Sequence, residues 1–538
     1  MKKSKSDGSD EKNSPSTGEC AVPCQNADLG LWQPESDVIY LKHDPEAVSR
    51  ALSAGEIADA VASHETIADD VVAHFLRSGF LKDALGSFPD PRKNWEVPMP
   101  VLLVPQILQR LNDEHSLLLA PYYLNSADLI TQLGYSASTL EEGFNQRNEK
   151  ERETAFHGET LKHVLNAADG EAMVSWFNDS LLARWQAQAK ESVGRVQGVK
   201  RQFIMDGMKI EVPARLRRKY EGSGTVRNDD ESLSHGYKAV WIQQVLHPAL
   251  KSRAKAGSGS NPSDAEEPVK RGIIVALRIG PIEEHDLSLG RWVADGFPFQ
   301  KGDELIIDRG FIDSEWFNDL HENRGVEIFV PLRRNMKVSR ATAIHGYTDR
   351  KDDWKPHPTR KKQWVQCLTE EDLKLWPECR VLKSGIIVKW QNEDQSFDEV
   401  VFVSTKAHLT PERLLATYDE RPRIEETHRQ LKLFQGIEKL PSKKWEHVVF
   451  RIIMGVIAFN LLHLFLIHKR SGTLEKAATL KTLRQKRDRK REQNPQMIIY
   501  TENAFWVMKA RQFHRLLLEI EDPVVRKKLI AVLAPDDD

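Results

Sequence analysis

The sequence predicts an α+β protein in which one mixed β-sheet is packed against helices. Residues 46–195 carry apolar side chains at helical spacing, and near residue 199 the pattern changes to short apolar runs typical of strands. Beyond that point, three strand-like runs are followed by helix, strand, helix and strand. This order implies a single mixed sheet that is preceded and followed by helical regions.

Length and composition limit the kind of protein. A chain of 538 residues is longer than one hydrophobic core serves, which is roughly 250–300 residues, so we expect several domains. The formal net charge of −2 excludes a globally basic surface, so any nucleic-acid surface must be local. The four cysteines do not form a disulfide framework and favour a reducing cytoplasm. Cys20 and Cys24 are not followed by a second pair with zinc-site spacing.

The N-terminal half of the chain is predicted to be helical. Helical spacing of apolar residues covers 51–77 and 101–111. A short helix, a turn at Gly134 and a capped second helix are predicted over 126–141. This pattern fits either a DNA-binding helix-turn-helix or an ordinary helical hairpin.

The second half of the chain alternates between strands and helices. Strand-like runs are predicted at 202–207, 237–246, 272–279, 304–308 and 326–331, helices at 283–295 and 313–321, and a surface loop at 255–264. Residues 336–405 begin polar and basic and then contain two β-like runs, 380–390 and 399–404. A helix resumes at Thr410, with Pro411 at its first position. The apolar run 452–467 is too short to span a membrane, so it predicts a buried core helix, and 504–520 predicts one amphipathic helix.

Three acidic residues stand out by position. Asp206 and Asp308 each follow an apolar run, where the carboxyl ends of strands open a crevice. Glu425 lies on a predicted helix that can cross that edge. Three converging carboxylates repel one another unless a divalent cation neutralises them, and oxygen ligands suit Mg²⁺ or Mn²⁺. The alternative for each aspartate alone is a turn-forming role beside glycine.

A cationic face surrounds Glu425. Arg421, Glu425, Arg429 and Lys432 are spaced by four, four and three residues, which places them on one face of a helix. One carboxylate among three cations is typical of an acid site that handles a polyanion. A salt-bridged surface helix is the alternative.

These residues resemble a known family. Tyr418, Arg421, Glu425 and Lys432 are similar to the Y-x2-R-x3-E-x6-K box of bacterial insertion-sequence DDE transposases, family four of the insertion sequences. The runs ending in Asp206 and Asp308 resemble that family's two aspartate motifs, in the same order. The segment containing Asn460 is similar to the one that follows the box.

The resemblance implies an RNase-H-like catalytic core with a β-rich insertion between the second aspartate and the glutamate. It implies that Asp206, Asp308 and Glu425 bind two Mg²⁺ or Mn²⁺ ions, and that Tyr418, Arg421 and Lys432 contact DNA phosphates near the cut, with Arg429 on the same cationic face. Such enzymes cut transposon ends through a 3′-hydroxyl and form a DNA hairpin. Synapsis of two ends implies a homodimer on transposon-end and target DNA, in the bacterial cytoplasm at the nucleoid, without a membrane.

One residue departs from the family pattern. The family has tryptophan after the box arginine, where this chain has Pro422. Proline disfavours the α region for the residue before it, so we expect the helix to begin or kink at Pro422. Arg421 would then lie outside the helix that carries Glu425.

The predicted organisation and function follow from these observations. The parts are a disordered tail (1–45), a helical DNA-binding region (46–195), the first part of the catalytic core with both aspartates (196–335), the β-rich insertion (336–405), the second part of the core (406–470), and a basic and helical C-terminal region (471–538). The predicted function is cut-and-paste DNA transposition by a DDE transposase. The alternatives are a catalytically inactive relative that only binds DNA, and a metal-dependent nuclease of the same fold.

Overall fold

The computed structural model describes most of the chain between residues 45 and 533. The described residues are 45–63, 67–112, 116–124, 127–136, 139–144, 155–193, 200–228, 230–246, 271–433, 435–440, 442–469, 496–501, 505–509, 513, 515–517 and 519–533. The disordered tail predicted over 1–45 and the loop predicted at 255–264 fall mostly or wholly outside these residues, as do residues 471–495 of the predicted basic C-terminal region, Cys20 and Cys24.

Helices form most of the described residues between 45 and 193 and flank the large sheet beyond residue 200. The α-helices are α1 (Pro45–Ala54), α2 (Ile67–Arg77), α3 (Phe80–Gly86), α4 (Met99–Leu111), α5 (Ala127–Gln132), α6 (Thr139–Glu142), α7 (Glu159–Ala167), α8 (Gly170–Ser175), α9 (Leu182–Val193), α10 (Asp286–Gly296), α11 (Ser314–Glu322), α12 (Lys337–Tyr347), α13 (Glu370–Lys374), α14 (Pro411–Tyr418), α15 (Pro422–Leu433), α16 (Trp445–Lys469) and α17 (Pro523–Leu533). Shorter helical turns cover Leu117–Tyr123, Trp176–Ser180, Ala214–Lys219, Arg309–Phe311 and Lys351–Asp353.

The strands form two sheets. They are β1 (Ile57–Ser63), β2 (Gln202–Glu211), β3 (Gly224–Arg227), β4 (Leu233–Leu246), β5 (Arg271–Pro281), β6 (Glu304–Ile307), β7 (Glu327–Pro331), β8 (Lys355–Pro356), β9 (Gln363–Cys367), β10 (Ser384–Gln391), β11 (Phe397–Ser404), β12 (Gln496–Thr501) and β13 (Phe505–Lys509). Mixed α and β structure is therefore confirmed.

The large sheet is mixed, as the sequence predicts. Its strands are ordered β3-β4-β2-β6-β7-β11-β10-β9-β8, and β5 also pairs with β4. The β2–β4 and β4–β5 pairs are antiparallel, whereas β2–β6 and β6–β7 are parallel. All five predicted strands between 202 and 331 and both intervening helices are present, with ends that shift by a few residues.

Helix α16 is the centre of the main hydrophobic core. It packs against β5 on one side and against α2, α4, α7, α8 and α9 on others, because nearly every position of its sequence is apolar. The segment Trp445–Phe465 has the length and composition of a membrane span, but all of it is buried inside the protein, as the sequence predicts for a core helix. Most helices from α2 to α9 and the large sheet thus share one continuous core, whereas α1 packs in a second, smaller core with β1 and β12.

Two asparagines cover the outer edge of β5. Asn460 of α16 accepts from the N–H of Ile274 at 2.8 Å and donates to its carbonyl at 2.7 Å. Asn178 makes the same pair of bonds with Leu277, at 2.9 and 2.8 Å. An exposed edge strand presents unpaired backbone groups, and these side chains satisfy them.

The second sheet joins the two ends of the described chain. β1 pairs antiparallel with β12, and β12 pairs with β13. The prediction of helix over 51–77 is wrong at its centre, which is β1, and the helix predicted over 504–520 is wrong at its start, which is β13. Both strands are short, and their partner lies far away in the sequence, so local periodicity does not identify them.

The segment 336–405 extends the large sheet. Its first half forms α12, which the sequence analysis did not predict, and its β-like runs form β10 and β11. β11 pairs antiparallel with β7, which makes these strands continuous with the large sheet. Between residues 126 and 142, α6 is a single turn, which favours a helical hairpin over a recognition helix.

A buried histidine in this segment predicts acid sensitivity. Burial, and then the charge of Arg360, lower the pKa of His357 to about 4. The unfolded chain therefore binds protons more readily between about pH 4 and 6.5, so His357 favours folding above that range and the benefit is lost as pH falls through it. Between pH 7 and pH 5, we expect the free energy of unfolding to fall by roughly 1–2 kcal/mol less in His357→Asn than in wild type. Melting temperatures at the two pH values measure this.

The control is an exposed histidine. The side chain of His163 is 72% exposed, so His163→Asn removes a surface imidazole and should retain the loss of stability that His357 causes between pH 7 and pH 5. Asparagine at 357 keeps an acceptor for the backbone N–H of Thr359, which now donates to Nδ1 at 3.2 Å. Equal pH dependence in wild type and His357→Asn would contradict the prediction.

Candidate active site

Asp206 and Asp308 lie side by side on neighbouring parallel strands. The register of β2 and β6 ends with Met205 opposite Ile307, so each aspartate is the next residue of its chain. Adjacent strands are about 4.8 Å apart. The sequence predicts Asp206 at the carboxyl end of a strand. That position is wrong, because β2 continues along β4 to Glu211 and Asp206 lies within it.

Neither aspartate serves as a turn-forming residue, which was the alternative interpretation of each. Asp308 precedes the helical turn Arg309–Phe311, but its side chain makes no capping hydrogen bond. The only backbone hydrogen bond that the carboxylate of Asp206 accepts among the described residues comes from the N–H of Gly207 at 2.8 Å, and β2 is extended through both residues. A role in turn formation therefore does not account for either carboxylate.

Glu425 reaches the same position from α15. This helix begins at Pro422, as the sequence predicts, and packs against β2 and β5 through residues such as Ile424 and Leu431, which are both buried. Glu425 lies in the first turn, where a negative charge is favourable near the helix N-terminus. Its side chain is 47% exposed.

The guanidinium of Arg421 joins the three carboxylates. Its Nη2 lies 3.2 Å from Oδ2 of Asp206 and 3.8 Å from Oδ2 of Asp308, and its Nη1 contacts Oε1 of Glu425. The side chain of Arg421 is 12% exposed, and its Nε has no hydrogen-bond partner among the described residues. We call Asp206, Asp308 and Glu425 the acid cluster; Arg421 is its shared counter-ion.

The acid cluster is electrostatically crowded. Burial raises the pKa of Asp206 to about 7, with Asp308 and Glu425 adding to the rise and Arg421 opposing it. Burial acts to lower the pKa of Arg421, but the surrounding carboxylates outweigh it and raise that pKa. One guanidinium thus leaves the negative charge of three carboxyl groups only partly compensated.

Tyr418 is buried beside the cluster. It is the last residue of α14 and its ring centre lies 4.8 Å from that of Phe402 on β11. Burial raises its pKa, and the acid cluster adds to the effect. The phenol of Tyr418 therefore stays protonated at neutral pH.

The two remaining cations of the predicted face have acidic partners on or near α15. Arg429 donates from Nε and Nη2 to the carboxylate of Glu426, both at 2.7 Å. Nζ of Lys432 lies 2.7 Å from Oε1 of Glu438. Both side chains are about one-third exposed, at 37% and 34%. The salt-bridged alternative is thus correct for the local pairing of these two residues.

A fourth carboxylate near the site was missed from the sequence. Asp286, in the first turn of α10, pairs with Nζ of Lys238 at 2.9 Å. A Cβ added at Gly207 would lie 3.0 Å from Oδ1 of Asp286, and one at Gly310 would lie 3.6 Å from its Oδ2. The carboxylate of Asp286 therefore lies close to both Gly207 and Gly310, in space that their missing side chains leave open. The acidic first turn of α10 was the only available signal.

His428 is a second residue that the sequence analysis did not select. Its ring lies 5.1 Å from that of Trp241, whose backbone pairs with Asp206. Burial, and then the charges of Arg421 and Lys432, lower its pKa to about 3, and its Nε2 has no hydrogen-bond partner among the described residues. Its position one turn after Glu425 was the only signal.

The residues that the structure describes contain no group of three His, Cys, Asp or Glu side chains close enough to hold a metal ion. This agrees with a guanidinium lying in contact with all three members of the acid cluster. The acid cluster offers carboxylate oxygens, which Mg²⁺ and Mn²⁺ prefer as ligands. One oxygen from each of its residues already contacts a cation, the guanidinium of Arg421. The residues fit a divalent ion once the guanidinium moves.

Comparison with known families provides independent support. Residues 269–461 match the family model described as the transposase DDE domain. The match supports a DDE transposase. The matched segment contains Asp308, Glu425 and the rest of the Tyr418–Lys432 box, whereas Asp206 lies before it.

Other comparisons add less. No curated protein sequence matches this chain. A solved structure described as the cryo-EM structure of the piggyBac transposase synaptic complex with hairpin DNA is similar at 9% identity and a TM-score of 0.33, covering 94% of this chain and 87% of that one. A likeness of that strength supports no conclusion about this protein.

Proposed function

We propose that this chain is a DDE transposase that binds the terminal inverted repeats of a mobile element and catalyses divalent-metal-dependent DNA strand cleavage and transfer. The observation that carries the proposal is the convergence of Asp206, Asp308 and Glu425 on one cationic group. Two of these acids come from adjacent strands, β2 and β6, and the third from a helix that packs against β2. The match to the transposase DDE domain supports the same reaction class.

The sheet order supports an RNase-H-like core. Apart from the short β3, which pairs with the start of β4, the first five strands in chain order are β2, β4, β5, β6 and β7, and they lie side by side as β5-β4-β2-β6-β7. The first three strands are antiparallel and the last two are parallel to the first. Under this proposal α15 carries the third acid, and 336–405 is the β-rich insertion between the second and third acids.

In the proposed mechanism Asp206, Asp308 and Glu425 would hold two Mg²⁺ or Mn²⁺ ions. When bound, such ions activate the attacking hydroxyl and stabilise the leaving oxygen of the phosphodiester. The residues of the chain orient the DNA: Lys432 and Arg429 offer partly exposed cations to phosphates, and the protonated phenol of Tyr418 donates a hydrogen bond. Arg421 belongs to the same signature, which supports membership of insertion-sequence family four.

The proposed reaction also implies an oligomeric state, a cellular location and a salt dependence of DNA binding. Two transposon ends must be held together, so we propose a homodimer in the synaptic complex, acting on chromosomal DNA in the bacterial cytoplasm. DNA phosphates dominate such contacts, so affinity should fall steeply with salt despite the net charge of −2.

The test uses the full chain and a supercoiled plasmid that carries two inverted copies of the parent element's terminal repeat. We expect nicks at the repeat ends with Mg²⁺ and none with EDTA. Binding to the repeats without cleavage under any divalent metal would replace the proposal with an inactive DNA-binding relative. Cleavage that ignores the repeats would replace it with a nuclease of the same fold.

Lys432 provides a prediction for DNA binding. Since it is proposed to contact a phosphate, Lys432→Gln should weaken binding equally for different sequences and reduce the slope of log affinity against log salt by about 1. Glu438→Gln removes the carboxylate that now pairs with Lys432, so it should bind DNA at least as tightly as wild type. Fluorescence anisotropy across a salt series measures both. An unchanged slope in Lys432→Gln would show that this lysine does not contact a phosphate.

A further inference from the structure

Arg421 and a divalent metal ion require the same carboxylate oxygens. The guanidinium contacts one oxygen from each member of the acid cluster, as a metal ion bound there would. Its side chain is nearly buried, so water competes little for these contacts. A guanidinium and a divalent ion repel each other, and this repulsion is strong at close range where little water screens the charges. The two cations therefore exclude each other.

The backbone of Arg421 is fixed, but its side chain can move. Its N–H donates to the carbonyl of Tyr418 at 2.9 Å, and Pro422 begins α15 immediately afterwards. The side chain has several rotatable bonds between this anchor and the guanidinium. Its buried Nε lacks a partner among the described residues, so the present position leaves one donor unused, at a cost in free energy.

We propose that Arg421 is the resident counter-ion of the metal-free acid cluster, and that a divalent cation binds only when the guanidinium leaves. The released guanidinium is then available to a DNA phosphate, which it can bind in bidentate fashion. Metal loading and phosphate binding are thus coupled through one side chain, which acts as a positioning residue. This inference rests on the proposed function, because it requires a metal site at the acid cluster.

The test measures Mn²⁺ affinity without DNA and without turnover. Isothermal titration calorimetry on the full chain should give a dissociation constant that is about tenfold lower for Arg421→Gln than for wild type, since the competing charge is gone. The melting temperature of Arg421→Gln should be lower than that of wild type in EDTA, and Mn²⁺ should raise it by more. Arg421→Lys keeps the charge but cannot contact three carboxylates at once, so its affinity should lie between the two.

Arg423→Gln is the matched control. Arg423 lies on α15, two residues after Arg421, and pairs with Glu420, so its loss removes the same charge from a neighbouring position. It should leave Mn²⁺ affinity unchanged and lower the melting temperature equally with and without metal. A tighter Mn²⁺ complex in Arg423→Gln would show that net charge, and not the contact of Arg421, controls metal affinity, which overturns the inference.

Two further outcomes separate this inference from the proposed function. If Asp308→Asn abolishes Mn²⁺ binding but neither Arg421→Gln nor Arg421→Lys binds more tightly than wild type, the metal site stands and the counter-ion role is overturned. If wild type and the Arg421 variants bind no Mn²⁺ that depends on Asp308, both the inference and the metal-dependent function are overturned. Arg421→Lys keeps the test decisive if Arg421→Gln does not fold.

Discussion

Glu425→Gln is expected to lower the rate of DNA end cleavage by about a thousandfold or more. The substitution preserves the size of the side chain but removes the charge that the proposed metal ions require. Losing several kcal/mol of transition-state stabilisation corresponds to a rate change of this size, because each 1.36 kcal/mol is a factor of ten. Strand nicking on the terminal-repeat plasmid, measured under single-turnover conditions, gives the rate.

The fold should tolerate this change. Glu425 is about half exposed in the first turn of α15, so its loss removes a favourable helix-end charge worth roughly 0.3–1 kcal/mol. Melting temperature and affinity for repeat DNA should therefore stay close to those of wild type. Glu412→Gln, the same change on an exposed residue of α14, should cleave at the wild-type rate. A Glu425→Gln rate within tenfold of wild type would remove Glu425 from the catalytic residues.

Asn460→Leu is expected to cause a large loss of stability without touching the active site. Asn460 is fully buried and makes two hydrogen bonds to the backbone of Ile274. Leucine fills a similar volume but has no hydrogen-bond donor or acceptor. The N–H and the carbonyl of Ile274 therefore stay buried without a partner. Each such group costs about 1–3 kcal/mol, which predicts a loss of roughly 2–5 kcal/mol.

Asn178→Leu provides the comparison for this prediction. Asn178 makes an equivalent pair of bonds with Leu277, but it is only partly buried, so water can replace part of what is lost. Its substitution should cost less than that of Asn460. Denaturant midpoints for both variants and wild type test the order. Equal midpoints for Asn460→Leu and wild type would show that α16 is not held to β5 by these bonds.

Sequence patterns predicted the core strands because their apolar runs are continuous and end at recognisable turns. The two aspartates were selected for the same reason, and Pro422 correctly indicated where α15 begins. The register that makes Asp206 and Asp308 neighbours depends on pairing between β2 and β6, which local periodicity does not determine. Sequence predicted a crevice lined by strand ends, whereas β2 runs on past Asp206.

Side-chain partners were the least predictable part of the site. Helical spacing groups Arg421, Arg429 and Lys432 on one face, but it does not reveal which acid each of them meets. Arg421 turns towards the acid cluster, whereas Arg429 and Lys432 meet Glu426 and Glu438. Asn460 belonged to a recognised segment, but its contact with Ile274 spans elements far apart in the sequence.

The pairing of β1 with β12 has a consequence for biosynthesis. The register sets Ser63 against Gln496, so β1 must wait for a partner strand that is made much later in the chain. Non-local pairing of this kind is slow, and an unpaired strand edge favours association between chains in the meantime. A ribosome-bound nascent chain that lacks β12 should therefore depend on chaperones more than the finished protein does.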